Sequence, residues 1–246
     1  SASRGEMYPV MDEVARDLGA NLFYTRLTAH GLSDGEGFAT ATPQDWIDDV
    51  REALAIGRSI GERVILVGMS TGAPLAIHLA LENVDKSDLA ALVLISPNHY
   101  PADSRVVFAS GPLGRFIAKI AIGTHRILNP MTKAQAAIWT PKYRSEGVTA
   151  MVNLVTYVYY LDLSKIKIPT ITLYTHKDKI VNVDLVVSRH EQLGSSFKRI
   201  VDMPEAKTHY FAGYATARRA VTPARRQITA FIREALLLEA LPENSK

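Results

Sequence analysis

The sequence contains no cysteine among its 246 residues. Disulfide bonds, thiolate zinc sites and cysteine nucleophiles are therefore excluded. The sequence also has no run of the roughly 18 apolar residues that a membrane-spanning helix needs, and its first residues do not resemble a signal peptide. These absences predict a soluble protein whose compartment stays open, with the cytoplasm favoured.

Neither sign of charge dominates, because 28 Lys and Arg residues stand against 25 Asp and Glu residues. A net charge of +3 on so balanced a chain gives no reason to expect a nucleic-acid partner. The densest basic run is interpreted as a solvated helix face; its members are Arg218, Arg219, Arg225 and Arg226. Hydrophobic residues make up 47% of the chain, which predicts a compact core.

Short apolar runs alternate with helical patterns along most of the chain. Strands are predicted at residues 21–27, 64–67, 91–95, 170–174 and 197–201. Helices are predicted at residues 7–18, 43–60, 71–81, 184–193 and 223–239. This order predicts an α/β fold, with a mostly parallel sheet and helices on both of its faces.

The alternation stops between residues 97 and 168, where Gly, Pro and aromatic residues separate helical pieces. We interpret residues 97–168 as a helical cap or lid inserted into a core of residues 1–96 and 169–246. Its apolar content suits an acyl or lipid-like group, although ordinary packing of the cap is the favoured explanation for any one of these side chains. The aromatic members are Phe108, Phe116, Trp139, Tyr157 and Tyr159.

The most specific motif is the run Gly68, Met69, Ser70, Thr71 and Gly72. It joins a predicted buried strand to a predicted helix, the context in which G-x-S-x-G indicates a nucleophile elbow. Side chains at Gly68 and Gly72 are expected to collide with neighbouring backbone, so both positions should need glycine. Ser70 is the predicted nucleophile, and the backbone N–H of Thr71 is the predicted oxyanion donor.

A serine nucleophile needs an imidazole to accept its proton and a carboxylate to orient that imidazole. On a sheet with such an elbow the acid and then the histidine follow the serine, which leaves His190 and His209 as candidate bases. His209 is favoured because it follows the last predicted strand, whereas His190 falls within a predicted helix.

Three aspartates are candidates for the acid. Asp178 is favoured because it comes just past a predicted strand, at the carboxyl edge where the sites of parallel sheets collect. Asp184 looks like a helix N-cap, and Asp202 would need a tight turn to reach His209. A triad of Ser70, Asp178 and His209 needs no metal and no organic cofactor.

Four segments resemble the monoacylglycerol lipase and carboxylesterase branch of the α/β-hydrolases. They are RLTAHG at residues 26–31, the elbow at 68–72, KDKIV at 177–181 and THYF at 208–211. The resemblance implies an α/β-hydrolase fold with a helical cap. It matches Ser70, Asp178 and His209 to the family's nucleophile, acid and base, and His30 to a structural turn histidine.

In that family, strands before the first helix end in a His-Gly segment, and the backbone N–H that follows supplies half of the oxyanion hole. Measured against this pattern the chain begins after that point, so these N-terminal strands are expected to be absent. Either the N-terminus is incomplete, or Ser3, Arg4 and Gly5 supply a substitute donor. Loss of one donor typically lowers turnover by about 10²–10³.

The favoured function is therefore hydrolysis of carboxylic esters, as in a carboxylesterase or lipase, through an acyl-enzyme on Ser70. The expected partner is a small-molecule ester or lipid-like substrate, and the oligomeric state stays open. One alternative is a binding protein that keeps the fold but lacks a complete oxyanion hole. Another is an amidase or peptidase on the same triad, because ester and amide cleavage share this machinery.

Overall fold

A parallel sheet organises the part of the chain that the computed structural model describes, which is residues 3–32, 34–111, 113–130 and 132–240. The strands are β1 (Val64–Met69), β2 (Leu89–Ile95), β3 (His125–Ile127), β4 (Lys142–Arg144), β5 (Thr170–Tyr174) and β6 (Lys198–Asp202). Strands β1, β2, β5 and β6 lie side by side in that order, all parallel. The short strands β3 and β4 form a separate antiparallel pair.

Helices cover both faces of this sheet. They are α1 (Val10–Leu18), α2 (Pro43–Ile60), α3 (Gly72–Glu82), α4 (Gly114–Ile122), α5 (Lys133–Ala136), α6 (Glu146–Tyr159), α7 (Val183–Glu191) and α8 (Arg218–Ala240). Successive side chains of a strand point to opposite faces, so β2 contributes to two cores. Leu92 packs with residues of α2, α3 and α6, while Val93 packs with residues of α1 and α8. The predicted α/β architecture is confirmed.

Helix α2 begins where the sequence indicates. The hydroxyl of Thr42 accepts a hydrogen bond from the backbone N–H of Asp45 at 3.2 Å, and the Asp45 carboxylate accepts one from the Thr42 N–H at 2.8 Å. This reciprocal pair satisfies two backbone donors that the helix itself cannot satisfy, and Pro43 occupies the first helical position.

The predicted start of the last helix at Pro223 is wrong, because α8 begins at Arg218 and contains the proline. Pro223 has no N–H to donate within the helix. Ala220 and Val221 lie before it and are buried in the core, so their packing keeps the helix continuous.

The predicted strand at residues 21–27 is also wrong, since these residues form no ladder. Among the residues described, β1 pairs only with β2. A cavity of about 660 Å³ lies against β1 residues 64–67 and also against residues 20–25, so the two segments share a cavity wall rather than hydrogen bonds. A strand is stable only when its backbone groups find partners, and residues 21–27 have none in a ladder.

Residues 97–168 carry α4, α5, α6 and the β3–β4 pair, and the described part of this segment adds no strand to the main sheet. Leu154 and Val158 of α6 are buried together with α2 and α3. The division into core and cap stays a prediction. In the described part of the chain, no helix combines the length and the apolar character required to cross a bilayer.

Candidate active site

Three side chains form one hydrogen-bonded line at the carboxyl edge of the sheet. Ser70 Oγ lies 2.8 Å from His209 Nε2, and His209 Nδ1 lies 2.6 Å from Asp178 Oδ2. Ser70 follows β1, Asp178 follows β5 and His209 follows β6. His209 is 2% exposed and Asp178 is 9% exposed, so little water competes for the bond between them.

The turn that presents Ser70 is strained and tightly held. Ser70 has a φ of 52°, a conformation that costs a residue with a side chain about 1–3 kcal/mol. Its N–H donates to the carbonyl of Ile95 at 2.9 Å, and its own carbonyl accepts from Ala73 and Asn98 at 3.1 Å each. These bonds tie the turn to the end of β2, so the neighbouring strand holds the strained conformation in place.

The two elbow glycines have different roles. A Cβ added at Gly68 would lie 2.4 Å from the carbonyl oxygen of Gly72, closer than two such atoms can approach, so the expected collision is confirmed there. The same expectation for Gly72 is wrong, because a Cβ at Gly72 meets no atom within 4 Å. Gly72 opens α3, where its Cβ position faces open space.

Backbone donors fix the orientation of the Asp178 carboxylate. Its Oδ1 accepts from the N–H groups of Ile180 at 2.8 Å and Val181 at 3.3 Å, and its Oδ2 faces His209. One oxygen therefore holds the loop while the other is left for the imidazole. Such a carboxylate can keep the Nδ1 proton on the Asp178 side of the ring.

Ser96 positions His209, and the sequence analysis did not identify it. Its hydroxyl donates to the backbone carbonyl of His209 at 2.9 Å, and it is fully buried directly after β2 with a φ of 44°. A polar residue at the end of a fully apolar strand is the signal that could have identified it. The ring of Tyr210 lies edge-on to the imidazole, with 4.7 Å between ring centroids.

The rival base lies elsewhere. His190 is buried between α7 and β5, where its Nδ1 lies 2.9 Å from Thr172 Oγ1. Burial lowers the pKa of His190 to about 4. His30 packs edge-on against Phe38 and Trp46, and burial lowers its pKa to about 3. Both rings therefore stay neutral near neutral pH.

The rival acids have other partners or positions. Asp202 accepts hydrogen bonds from the Nδ1 of His176 at 2.8 Å and from the His176 backbone N–H at 3.1 Å. Asp184 lies in the first turn of α7, and its expected role as the N-cap is wrong because Asn182 caps that helix.

Glu6 is a second residue near the site that the sequence analysis missed. Its Oε1 accepts hydrogen bonds from the side chains of Gln135 and Trp139, while its Oε2 is buried and has no hydrogen-bond partner among the described residues. Burial raises the pKa of this carboxyl group, and the opposing effects of the two hydrogen bonds and of nearby His209 are smaller. Burial, followed by the charge of Glu6, raises the pKa of Tyr210 to about 12.

Ser70 opens onto the 660 Å³ cavity that also follows the edge of β1. Residues of the predicted core and of the predicted cap both contribute walls, and apolar side chains are the majority. The lining residues also include Met69, Asn98, Arg126, Tyr143, Met151 and Tyr210. The turn before α1 reaches the same cavity through Ser3 and Glu6.

Comparison with known proteins identifies one family and several similar folds. The family model described as serine aminopeptidase, S33, matches residues 4–210. A solved structure from work on the metagenome-derived lipolytic enzymes LipS and LipT has a TM-score of 0.72 and 16% identity, covering 92% of this chain and 88% of that one. A monoacylglycerol lipase of Paleococcus ferrophilus has a TM-score of 0.69 and 13% identity, covering 95% and 91%.

A soluble variant of a monoglyceride lipase from Saccharomyces cerevisiae, in complex with a substrate analogue, has a TM-score of 0.66 and 11% identity and covers 85% of this chain and 75% of that one. The sequence search against curated proteins found no match. At these identities the similar structures establish the fold and leave the substrate to be argued from the site.

The elbow geometry predicts opposite effects for two alanine substitutions. Gly68→Ala forces a Cβ against the Gly72 carbonyl and should lower the free energy of unfolding by about 1–3 kcal/mol. Gly72→Ala places a better helix former in open space and should leave stability unchanged or raise it by up to about 1 kcal/mol. Urea denaturation of both variants makes the comparison. Equal destabilisation would contradict the different roles assigned to the two glycines.

The raised pKa of Glu6 predicts a pH-dependent difference between the wild-type protein and Glu6→Gln. As pH rises above the ordinary carboxyl pKa of 4.5, the unfolded chain releases this proton before the folded one, so the wild-type protein loses stability. Glutamine cannot ionise, so the variant should gain stability relative to the wild type as pH rises past 4.5. Unfolding midpoints of both proteins, measured at several pH values on either side of 4.5, give this stability difference. A constant difference would show that Glu6 titrates as an exposed glutamate does, and a shrinking one that its pKa is lowered; either result contradicts a raised pKa.

Proposed function

We propose that this chain, which belongs to the α/β-hydrolase family described as serine aminopeptidase, S33, is a serine hydrolase that cleaves carboxylic esters. The observation that carries the proposal is the line of hydrogen bonds from Ser70 through His209 to Asp178. A nucleophile, a base and an orienting acid stand in the order and spacing that acyl transfer requires.

In the proposed reaction His209 Nε2 accepts the Ser70 proton as Oγ attacks the ester carbonyl carbon. The proton on Nδ1 stays in its bond to Asp178, whose carboxylate stabilises the imidazolium that forms. The imidazolium then protonates the alkoxide as it departs. The acyl group stays bound to Ser70 Oγ. Water, deprotonated by the same imidazole, attacks this acyl-enzyme and releases the acid.

The oxyanion of the tetrahedral intermediate needs backbone donors close to Ser70. Thr71 precedes the first residue of α3, so its N–H lies at the positive end of a helix. We assign the second donor to the turn before α1, whose residues Ser3 and Glu6 line the cavity onto which Ser70 opens, and Arg4 is its candidate residue. In the turn at residues 5–8 each N–H donates to Ser3 or Arg4, whereas the Arg4 N–H has no hydrogen bond among the described residues.

The cavity supports an ester with an apolar acyl group. Its walls as a whole are mostly apolar, and such walls bind hydrocarbon while a few polar groups fix orientation. Two of the similar structures are monoacylglycerol and monoglyceride lipases, whose names agree with such a substrate. We further propose that residues 97–168 act as a lid, since Arg126, Tyr143 and Met151 from this segment line the cavity.

The family description favours a second candidate, an aminopeptidase that uses the same triad. Amide cleavage requires His209 to protonate a poorer leaving group than an alkoxide. The geometry of this proton transfer is the same as in ester cleavage. Turnover of p-nitrophenyl butyrate compared with turnover of aminoacyl p-nitroanilides separates the two candidates. The ester proposal predicts turnover of the butyrate and none of the anilides, because the poorer anilide leaving group is not cleaved. Release of p-nitroaniline that is lost in Ser70→Ala would favour the aminopeptidase.

Substitutions in the triad test the mechanism on the preferred substrate. Ser70→Ala and His209→Ala should lower kcat to a similar extent, by about 10⁴ or more, because the two residues act as a unit, while Asp178→Asn should cost less. His190→Ala is the matched control, since that histidine is equally buried and contacts Thr172 instead. Full activity in His209→Ala would overturn the assignment of His209 as the base. Loss of activity in His190→Ala would overturn it as well.

A further inference from the structure

The net positive charge of the protein comes from one segment, residues 104–145. This segment contains no Asp or Glu and seven basic residues, which are Arg105, Arg115, Lys119, Arg126, Lys133, Lys142 and Arg144. The rest of the chain keeps 21 of the 28 basic residues against all 25 acidic ones, a net charge of −4. Residues 104–145 therefore form a basic segment in a chain whose remainder is acidic.

The same segment exposes large apolar side chains. Five of them are at least 65% exposed, namely Phe108, Leu113, Phe116, Ile120 and Ile127. Elsewhere among the described residues, only Tyr160 and Leu237 are comparably exposed. Single exposed apolar residues are ordinary, whereas a cluster rimmed by charge marks an interaction surface.

Helix α4 presents its bulky side chains outward. Phe116 and Ile120 are four residues apart and so lie on one stripe, with Leu113 just before the helix in line with them. Gly114 and Ala118 lie on the buried side, where a Cβ at Gly114 would lie 2.1 Å from the Ala109 carbonyl oxygen. The helix therefore packs through its smallest residues and leaves its apolar stripe to solvent.

Basic side chains flank this stripe. Arg115 and Lys119 are four residues apart on one side of α4, both are exposed, and neither forms an ion pair among the described residues. Arg105 is paired with Asp103, and Arg144 with Glu146. Of these four basic residues, Arg115 and Lys119 therefore remain available to a partner, and both flank the apolar stripe.

We propose that residues 104–145 bind the surface of anionic lipid bilayers, with α4 lying in the interface. Phenylalanine, leucine and isoleucine flanked by Lys and Arg are typical of helices that insert an apolar face below anionic headgroups. A second copy of the chain fits poorly, because a symmetric contact through α4 would bring Arg115 and Lys119 of both copies together. Nucleic acid would engage the charges and leave the apolar side chains in water.

The surface also lies close to the candidate active site. Strand β3 follows α4 directly and carries Arg126, which lines the same cavity as Ser70. A bilayer bound at residues 104–145 would thus lie beside the cavity. The proposal does not depend on the proposed function, since binding needs no reaction at Ser70.

Vesicle sedimentation tests the proposal with Ser70→Ala as the parent protein, so that lipid hydrolysis cannot interfere. The parent should bind vesicles of equimolar phosphatidylserine and phosphatidylcholine more tightly than vesicles of phosphatidylcholine alone. Adding Arg115→Gln and Lys119→Gln should weaken association about 25-fold, at about fivefold for each basic residue. Adding Phe116→Ser and Ile120→Ser should weaken it at least about tenfold, because two inserted side chains are lost.

Matched controls come from α8. Arg219→Gln with Arg226→Gln removes two exposed arginines, and Leu237→Ser removes an apolar side chain that is 68% exposed. Both controls should bind as the parent does. The proposal is overturned if the parent does not bind anionic vesicles, or if the controls weaken binding as much as the α4 variants. It is likewise overturned if the α4 substitutions instead abolish binding to duplex DNA or self-association while vesicle binding persists.

Discussion

The carboxyl end of β2 fixes the relative positions of the groups in the candidate site. Ile95 accepts a hydrogen bond from the Ser70 N–H, and Ser96, the next residue, donates one to the His209 carbonyl. One strand end thus holds the turn that carries the serine and the loop that carries the histidine. The 2.8 Å separation of Ser70 Oγ and His209 Nε2 depends on both contacts. A shift of either loop relative to β2 would separate the proposed nucleophile from its base.

A second level of organisation comes from the distribution of ionisable groups. Asp178 and His209 are buried as a mutually satisfied pair, whereas Glu6 is buried with one oxygen unpartnered among the described residues. An unpartnered buried carboxylate is costly, which is why its pKa rises. Its hydrogen bonds to Gln135 and Trp139 connect the turn before α1 to the predicted lid. The same two segments meet the cavity at Ser70, so packing of the lid and protonation of Glu6 are physically linked.

Local sequence signals predicted the features that local backbone geometry determines. The elbow at residues 68–72 and the start of α2 at Pro43 each depend on a few neighbouring residues, and both were predicted. The proximity of Asp178 and His209 followed from chain order on a parallel sheet. Ser96, Glu6 and the absence of a ladder at residues 21–27 depend on partners distant in sequence, which no local pattern encodes. Pro223 was misread because burial of its neighbours outweighs a local helix signal.

The central claim is that Ser70 is an activated nucleophile, and covalent labelling tests it most directly. A fluorophosphonate reacts with a serine only when a base accepts the proton, and it leaves a stable adduct on Oγ. Digestion of the treated protein and mass spectrometry of the peptides locate that adduct. We predict one adduct, on Ser70, in the wild-type protein and none in His209→Ala. An unlabelled Ser70 in the folded wild-type protein, or equal labelling in His209→Ala, would contradict the account.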